Sequence, residues 1–130
     1  MSTKHPVIAV TGSSGANRKT VRETFEKLCT KENLAAAYIQ GDGFHKYNRA
    51  EMKAAISDAA AKNDNSFSHF GADANLFEEQ EKLYRAYSES GSGKRRFYLH
   101  NWSDVEPFDD LDLSPGQFSS WEDVPDGTDM

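Results

Sequence analysis

The stretch Gly41-Asp42-Gly43-Phe44-His45-Lys46-Tyr47-Asn48-Arg49 brings a carboxylate, an imidazole and a guanidinium into one short segment. Asp42 can accept a proton from an attacking hydroxyl. His45 and Arg49 are one helical turn apart and can offer donors to a single phosphate, with arginine as a fork. The same residues also suit a Gly-Asp-Gly turn that caps a helix and leaves Arg49 in solvent. A second stretch, Thr11-Gly12-Ser13-Ser14-Gly15-Ala16-Asn17-Arg18-Lys19-Thr20, follows the apolar run Val7-Ile8-Ala9-Val10 and precedes an amphipathic segment. A buried strand, a glycine turn and a helix start in that order form a phosphate cradle, because turn amides and the helix dipole converge on one anion.

The spacing of that cradle is unusual. The standard loop runs Gly, four residues, Gly, Lys, then Ser or Thr. Counted from Gly12, the last three places hold Asn17, Arg18 and Lys19; counted back from Lys19 and Thr20, the glycine places hold Ser13 and Arg18. Asn17 tolerates a positive φ and can hold the turn. Arg18 can supply the positive charge. Lys19 cannot ligate a cation, which leaves Thr20 to meet magnesium from one position late. A purely structural Gly-Ser turn between strand and helix is the alternative.

These groups need elements to hold them. Val21, Phe25 and Leu28 recur at helical spacing, so a helix over about residues 18–31 is predicted to pack one face on a sheet. Residues 35–40 form a short apolar run ending at Gly41, which suits a second buried strand and completes a βαβ-like start. Loops at the carboxyl ends of strands in open α/β sheets carry ligands, so Asp42 is placed to face the first turn. An alanine-rich helix is expected over residues 49–62. Asn75 with Glu78 three positions later predicts a helix start, with Leu76, Leu83 and Tyr87 on one face and a stop at Ser90-Gly91-Ser92-Gly93. Phe97-Tyr98-Leu99-His100 suits a strand. The rest, punctuated by Pro107, Pro115-Gly116 and Pro125, reads as loop leading toward a further strand.

The 130 residues carry a net charge of −6, unevenly distributed. Residues 1–96 hold all 15 Lys and Arg against 12 acids, whereas residues 97–130 hold nine acids and no Lys or Arg. A mildly basic first part is compatible with phosphorylated ligands. Beyond Lys94-Arg95-Arg96 no basic cluster is present, which argues against a nucleic-acid partner. No apolar run approaches the roughly 20 residues of a membrane span, and the amino terminus lacks a hydrophobic signal core. A cytoplasmic protein without a membrane partner is expected. Cys29, the one cysteine, lies beside the apolar positions of the first helix and suits packing, with no partner for an internal disulfide.

Four blocks together closely resemble the bacterial-type phosphoribulokinases of the phosphoribulokinase and uridine kinase family. They are residues 5–16 (His-Pro-Val-Ile-Ala-Val-Thr-Gly-Ser-Ser-Gly-Ala), residues 41–53 (ending Arg-Ala-Glu-Met-Lys), Phe67-Ser68-His69-Phe70 with Asp73-Ala74-Asn75, and Tyr98-Leu99-His100. The resemblance implies a P-loop α/β fold, three-layered α/β/α, of which residues 1–130 would be the amino-terminal half of one domain. It implies ATP-dependent phosphorylation of ribulose 5-phosphate to ribulose 1,5-bisphosphate, the step that feeds the carbon-fixing enzyme of the Calvin cycle. Asp42 would be the catalytic base. His45, Arg49, Lys53, Tyr98 and His100 would contact ribulose 5-phosphate. Gly12, Ser13, Ser14, Gly15, Ala16, Asn17, Arg18, Lys19 and Thr20 would hold ATP, with Thr20 on Mg2+.

The family's loop continues with glycine and small hydroxyl residues where this chain has Asn17, Arg18 and Lys19. Family members are also longer, with their acidic metal ligand on a strand that lies between the first two. The expectation for this chain is a fragment inactive by itself, and a homo-oligomer when full length. A uridine-kinase-like nucleoside kinase is the enzyme alternative, although a nucleoside offers no phosphate for His45 and Arg49. A non-catalytic, degenerate homologue is the third possibility.

Overall fold

A computed structural model describes residues 4–13 and 15–130, and the chain divides into two compact units. The first comprises residues 1–38, 82–93 and 123–130; the second comprises residues 39–81 and 94–122.

In the first unit the helix α1 (Arg18–Lys31) forms where the apolar spacing places it. Asn17 caps it, its side chain accepting from the Thr20 amide at 3.2 Å, which satisfies one of the orphan donors of a helix start. Cys29 is buried and free, as expected of a packing residue. The rest differs from the sequence expectation. Residues 7–10 were predicted to be a buried strand, but no strand is assigned there and Ile8 and Val10 are exposed. Residues 35–40 likewise form no strand: Ala35 exchanges bonds with Asp129, and the Ala37 amide donates to the Met130 carbonyl at 2.7 Å. With no sheet beneath it among the described residues, α1 leaves Val21, Phe25 and Leu28 exposed rather than packed. A strand exists only through its ladder, and apolar composition alone does not supply a partner. The unit's buried side chains are Cys29, Leu83, Tyr87 and Val124. Tyr87 exchanges a hydroxyl hydrogen bond with Thr128 at 2.7 Å and meets the His5 ring edge-on.

In the second unit α2 (Arg49–Ala61) opens with a capping box. Asn48 accepts from the Glu51 amide and Glu51 accepts from the Asn48 amide, both at 2.9 Å. The helix α3 (Phe77–Ser90) runs on from this unit, its later residues belonging to the first. It begins two positions after Asn75, whose side chain does not cap it but turns elsewhere, a difference taken up below. The expected strand at residues 97–100 appears instead as a short antiparallel pairing: Leu99 donates to Gln117, Gly116 to Leu99 and Ser119 to Phe97. Just before it β1 (Lys94–Arg95) pairs with β2 (Glu122–Asp123), the one sheet assigned among the described residues. A single helical turn, α4 (Trp102–Val105), follows, capped by Asn101. Phe44 and Leu99, at 2% and 1% exposure, are the largest fully enclosed side chains, and deleting either removes about 2–5 kcal/mol of packing.

Candidate active site

Asp42 lies in a 3-10 turn, Gly41–Phe44, and two contacts fix that turn from outside. The Gln40 side chain before it accepts from the Tyr98 amide at 2.7 Å. Inside it, Gly43 lies so close to the chain that an added β-carbon would stand 2.0 Å from the Arg96 carbonyl oxygen. No residue with a side chain fits without displacing Asp42's own turn. Arg96 then clasps the turn: Nε donates to the Gly43 carbonyl at 2.6 Å and Nη2 to the His45 carbonyl at 2.5 Å. Its guanidinium lies between the rings of Phe118 and Trp121, 3.7 and 4.7 Å from their centroids. Burial presses its pKa down.

The Asp42 carboxylate has an imidazole on each oxygen. His100 Nε2 lies 3.1 Å from Oδ2 and His45 Nε2 lies 3.4 Å from Oδ1. An ionised carboxylate has about four lone-pair positions and can accept from several groups at once. The hydrogen bond to Asp42 raises the pKa of His45 above the ordinary imidazole range, burial opposes this, and Asn75 adds to the rise. The Tyr98 ring lies 4.7 Å from that of His100, tilted by 59°, and stands edge-on to His45. Arg49 donates from Nη2 to the His100 carbonyl at 2.9 Å, leaving its other guanidinium hydrogens for a ligand.

The five residues read from the sequence as acceptor contacts, His45, Arg49, Lys53, Tyr98 and His100, all line one concavity of about 460 Å3 in the second unit. Asp42 is not among its lining residues and is reached through the two imidazoles. Three participants escaped the sequence reading. His69 lines the cavity, Asn75 holds His45, and Arg96, in the sequence one of the basic run Lys94-Arg95-Arg96, donates to the His45 carbonyl. That cluster divides in the structure: Arg95 pairs with Glu122 at 2.9 Å while Arg96 turns inward.

The predicted phosphate loop lies in the first unit and is described there alone. Ser14 falls outside the described residues. Gly15 has φ +85°, the conformation that favours glycine, whereas Asn17, expected to hold the turn through a positive φ, has φ −74° and caps α1 instead. Several amides a phosphate would need are committed within the chain, however: Ala16 donates to the Ser13 carbonyl, Arg18 to that of Ala16, and Thr20 to the Asn17 side chain. Lys19, its side chain 85% exposed, lies 3.9 Å from Glu23. For Mg2+ the described residues of the loop offer the hydroxyls of Thr11, Ser13 and Thr20 and no carboxylate, a poor donor set for an ion that requires octahedral oxygen.

The His45–Asp42 pair carries a pH dependence. A folded-state pKa raised above the unfolded value gives stability that is complete below about 6.5 and is lost as pH rises through the raised value. The unfolding midpoint in urea should therefore fall through and above neutrality by more in the native chain than in Asp42→Asn. Equal pH profiles for the two would show that the pair adds no stability.

Comparisons with known proteins follow the same lines. Residues 7–130 match the model of the phosphoribulokinase / uridine kinase family. The chain is similar to the plasmid phosphoribulokinase of Cupriavidus necator, 46% identical over all of this chain and 44% of that protein. It is also similar to the phosphoribulokinase of Nitrobacter vulgaris, 43% identical over the same shares. Among solved structures, phosphoribulokinase from Rhodobacter spheroides superposes with a TM-score of 0.80 at 38% identity, over 96% of this chain and 40% of that one. The P-loop α/β class expected from the sequence agrees with that likeness. The chain spans less than half the length of these relatives.

Proposed function

This chain belongs to the phosphoribulokinase and uridine kinase family, and on that footing we propose that it carries the acceptor site of a kinase that phosphorylates ribulose 5-phosphate with ATP. The observation that supports this most is the convergence of His45, Arg49, Lys53, Tyr98 and His100 on one cavity beside the Asp42 carboxylate. An imidazole of raised pKa, a guanidinium and an ammonium make a site for an anion. The Tyr98 ring gives the site an apolar surface that suits the carbon face of a small sugar. A nucleoside would bring no phosphate to such a site.

In the proposed reaction the acceptor hydroxyl attacks the γ-phosphorus of ATP. The new P–O bond forms as the bond to ADP breaks, and the hydroxyl proton passes to Asp42. Arg49, His45 and Lys53 hold the acceptor's existing phosphate and so fix which hydroxyl meets the carboxylate. The loop from Gly12 to Thr20, with Arg18 and Lys19, would hold the phosphates of ATP. No step is derived through Mg2+, for which the loop's donor set is insufficient. The product is ribulose 1,5-bisphosphate, and the site is that of a Calvin-cycle enzyme in the cytoplasm, homo-oligomeric in its complete form. The internally bonded loop amides weigh against ATP binding and turnover in the 130-residue chain.

Calorimetric titration tests the acceptor assignment. Arg49→Ala should weaken ribulose 5-phosphate binding by about 10- to 150-fold, the equivalent of a charge-assisted bond of about 1.5–3 kcal/mol, with ATP binding unchanged. Equal weakening for both ligands would indicate a folding defect. Tighter binding of uridine than of ribulose 5-phosphate would overturn the sugar-phosphate assignment in favour of a nucleoside kinase.

A further inference from the structure

The Asn75 amide is used at both ends, and this determines which way round it sits. Its Nδ2 donates to the carbonyls of His69 and Gly71, each at 2.8 Å. Exchanging the amide's oxygen and nitrogen would set an oxygen against two carbonyl oxygens, so the network assigns the orientation. Oδ1 therefore faces His45 Nδ1 at 2.9 Å. An amide oxygen can only accept, so the hydrogen between them belongs to the imidazole.

The backbone holds this pair independently of the side chains. His45 and Asn75 sit opposite one another in an antiparallel bridge, flanked by Leu76 donating to Phe44 and Lys46 donating to Ala74. On its far side His45 presents Nε2 to Asp42 Oδ1 at 3.4 Å. The remaining charged or polar groups around the ring are Arg96, on the His45 carbonyl, Tyr98, edge-on to the ring, and His100, across the Asp42 carboxylate.

We propose that Asn75 is a positioning residue that confines the neutral-state proton of His45 to Nδ1, so that His45 can donate to Asp42 only as an imidazolium. The inference rests on the acceptor-site reading above and extends it. A neutral imidazole has one N–H. Left to itself, the ring would lose charge by keeping hydrogen on Nε2, where the carboxylate accepts it. Asn75 claims that hydrogen for Nδ1, and the neutral ring then turns a bare lone pair toward the carboxylate. The pair is thus held as cation and anion, which keeps a positive charge at the cavity edge where a sugar phosphate would arrive.

The test is ring-selective nitrogen NMR on the 130-residue chain with 15N-labelled histidine, followed across a pH titration without ligand. In the native chain the neutral form of His45 should show its hydrogen on Nδ1 and a bare Nε2. Asn75→Leu, which removes the acceptor but leaves the backbone bridge, should reverse this assignment. Asn75→Asp keeps an oxygen acceptor for His45 but sets its second oxygen against the His69 and Gly71 carbonyls, so it should retain the native tautomer at lower stability. A native neutral form with hydrogen on Nε2 overturns the proposal, as does an Asn75→Leu variant that keeps it on Nδ1. If Asn75→Leu does not fold, the native chain and Asn75→Asp still decide. Because no ligand is present, failure here leaves the sugar-phosphate reading standing, and failure of ribulose 5-phosphate to bind leaves a measured Nδ1 tautomer standing.

Discussion

Asp42→Asn is expected to lower phosphoryl transfer by about 10²–10⁴-fold, the range that a positioned general base supplies. The substitution keeps size but removes charge and basicity, so in the simplest case acceptor binding would survive. The structure adds a second effect. The hydrogen bond from Asp42 is the largest cause of the raised pKa of His45, and an amide at position 42 withdraws it. Near neutrality the variant should therefore also show a raised KM for ribulose 5-phosphate, which recovers as pH is lowered and His45 is protonated again. The measurement is coupled ADP release in a chimera that joins this chain to the remainder of one of its curated relatives. A variant retaining more than about a tenth of the rate would remove Asp42 from the role of base.

The second large effect is structural. Arg96→Met should destabilise the second unit by about 2–4 kcal/mol, because the Gly43 and His45 carbonyls each lose a charged donor at about 1–3 kcal/mol and water recovers part of it. Methionine keeps the contact with Phe118 and Trp121, so the loss isolates the two hydrogen bonds from the packing. Arg96→Lys should recover little, since an ammonium has no planar fork to span two carbonyls and stack between two rings. Urea unfolding of the three proteins measures this. A lysine variant as stable as the native chain would mean that charge alone suffices.

What the sequence made legible was local. The helices α1 and α3 lie where apolar spacing put them and α2 where its alanine-rich run did, all settled within a few residues. That His45, Arg49, Lys53, Tyr98 and His100 share one cavity agrees with a reading made from 41–53, one continuous block with charged groups at helical spacing, and from the second matching block that holds Tyr98 and His100. The misreadings were long-range. Whether residues 7–10 and 35–40 become strands depends on partners distant in the chain, and residues 35 and 37 take theirs from 129 and 130. Asn75 carried a helix-start signal that Glu78 appeared to complete, yet His45, thirty positions earlier, claims its oxygen. Arg96 is one of three adjacent basic residues, and nothing in that run distinguishes the one that Phe118 and Trp121 enclose. Asn75 reaches His45, and Arg96 reaches Gly43, His45, Phe118 and Trp121, across separations that no short window contains.

The acceptor site is tested most directly by titrating the 15N-labelled chain with ribulose 5-phosphate, and in parallel with ribulose and with uridine, while resolving each residue. Ribulose 5-phosphate should move the resonances of His45, Arg49, Lys53, Tyr98 and His100 together with a single affinity, and ribulose and uridine should leave them in place at the same concentration. Movement of these five with uridine, or none with ribulose 5-phosphate, would contradict the assignment of this cavity to a sugar phosphate.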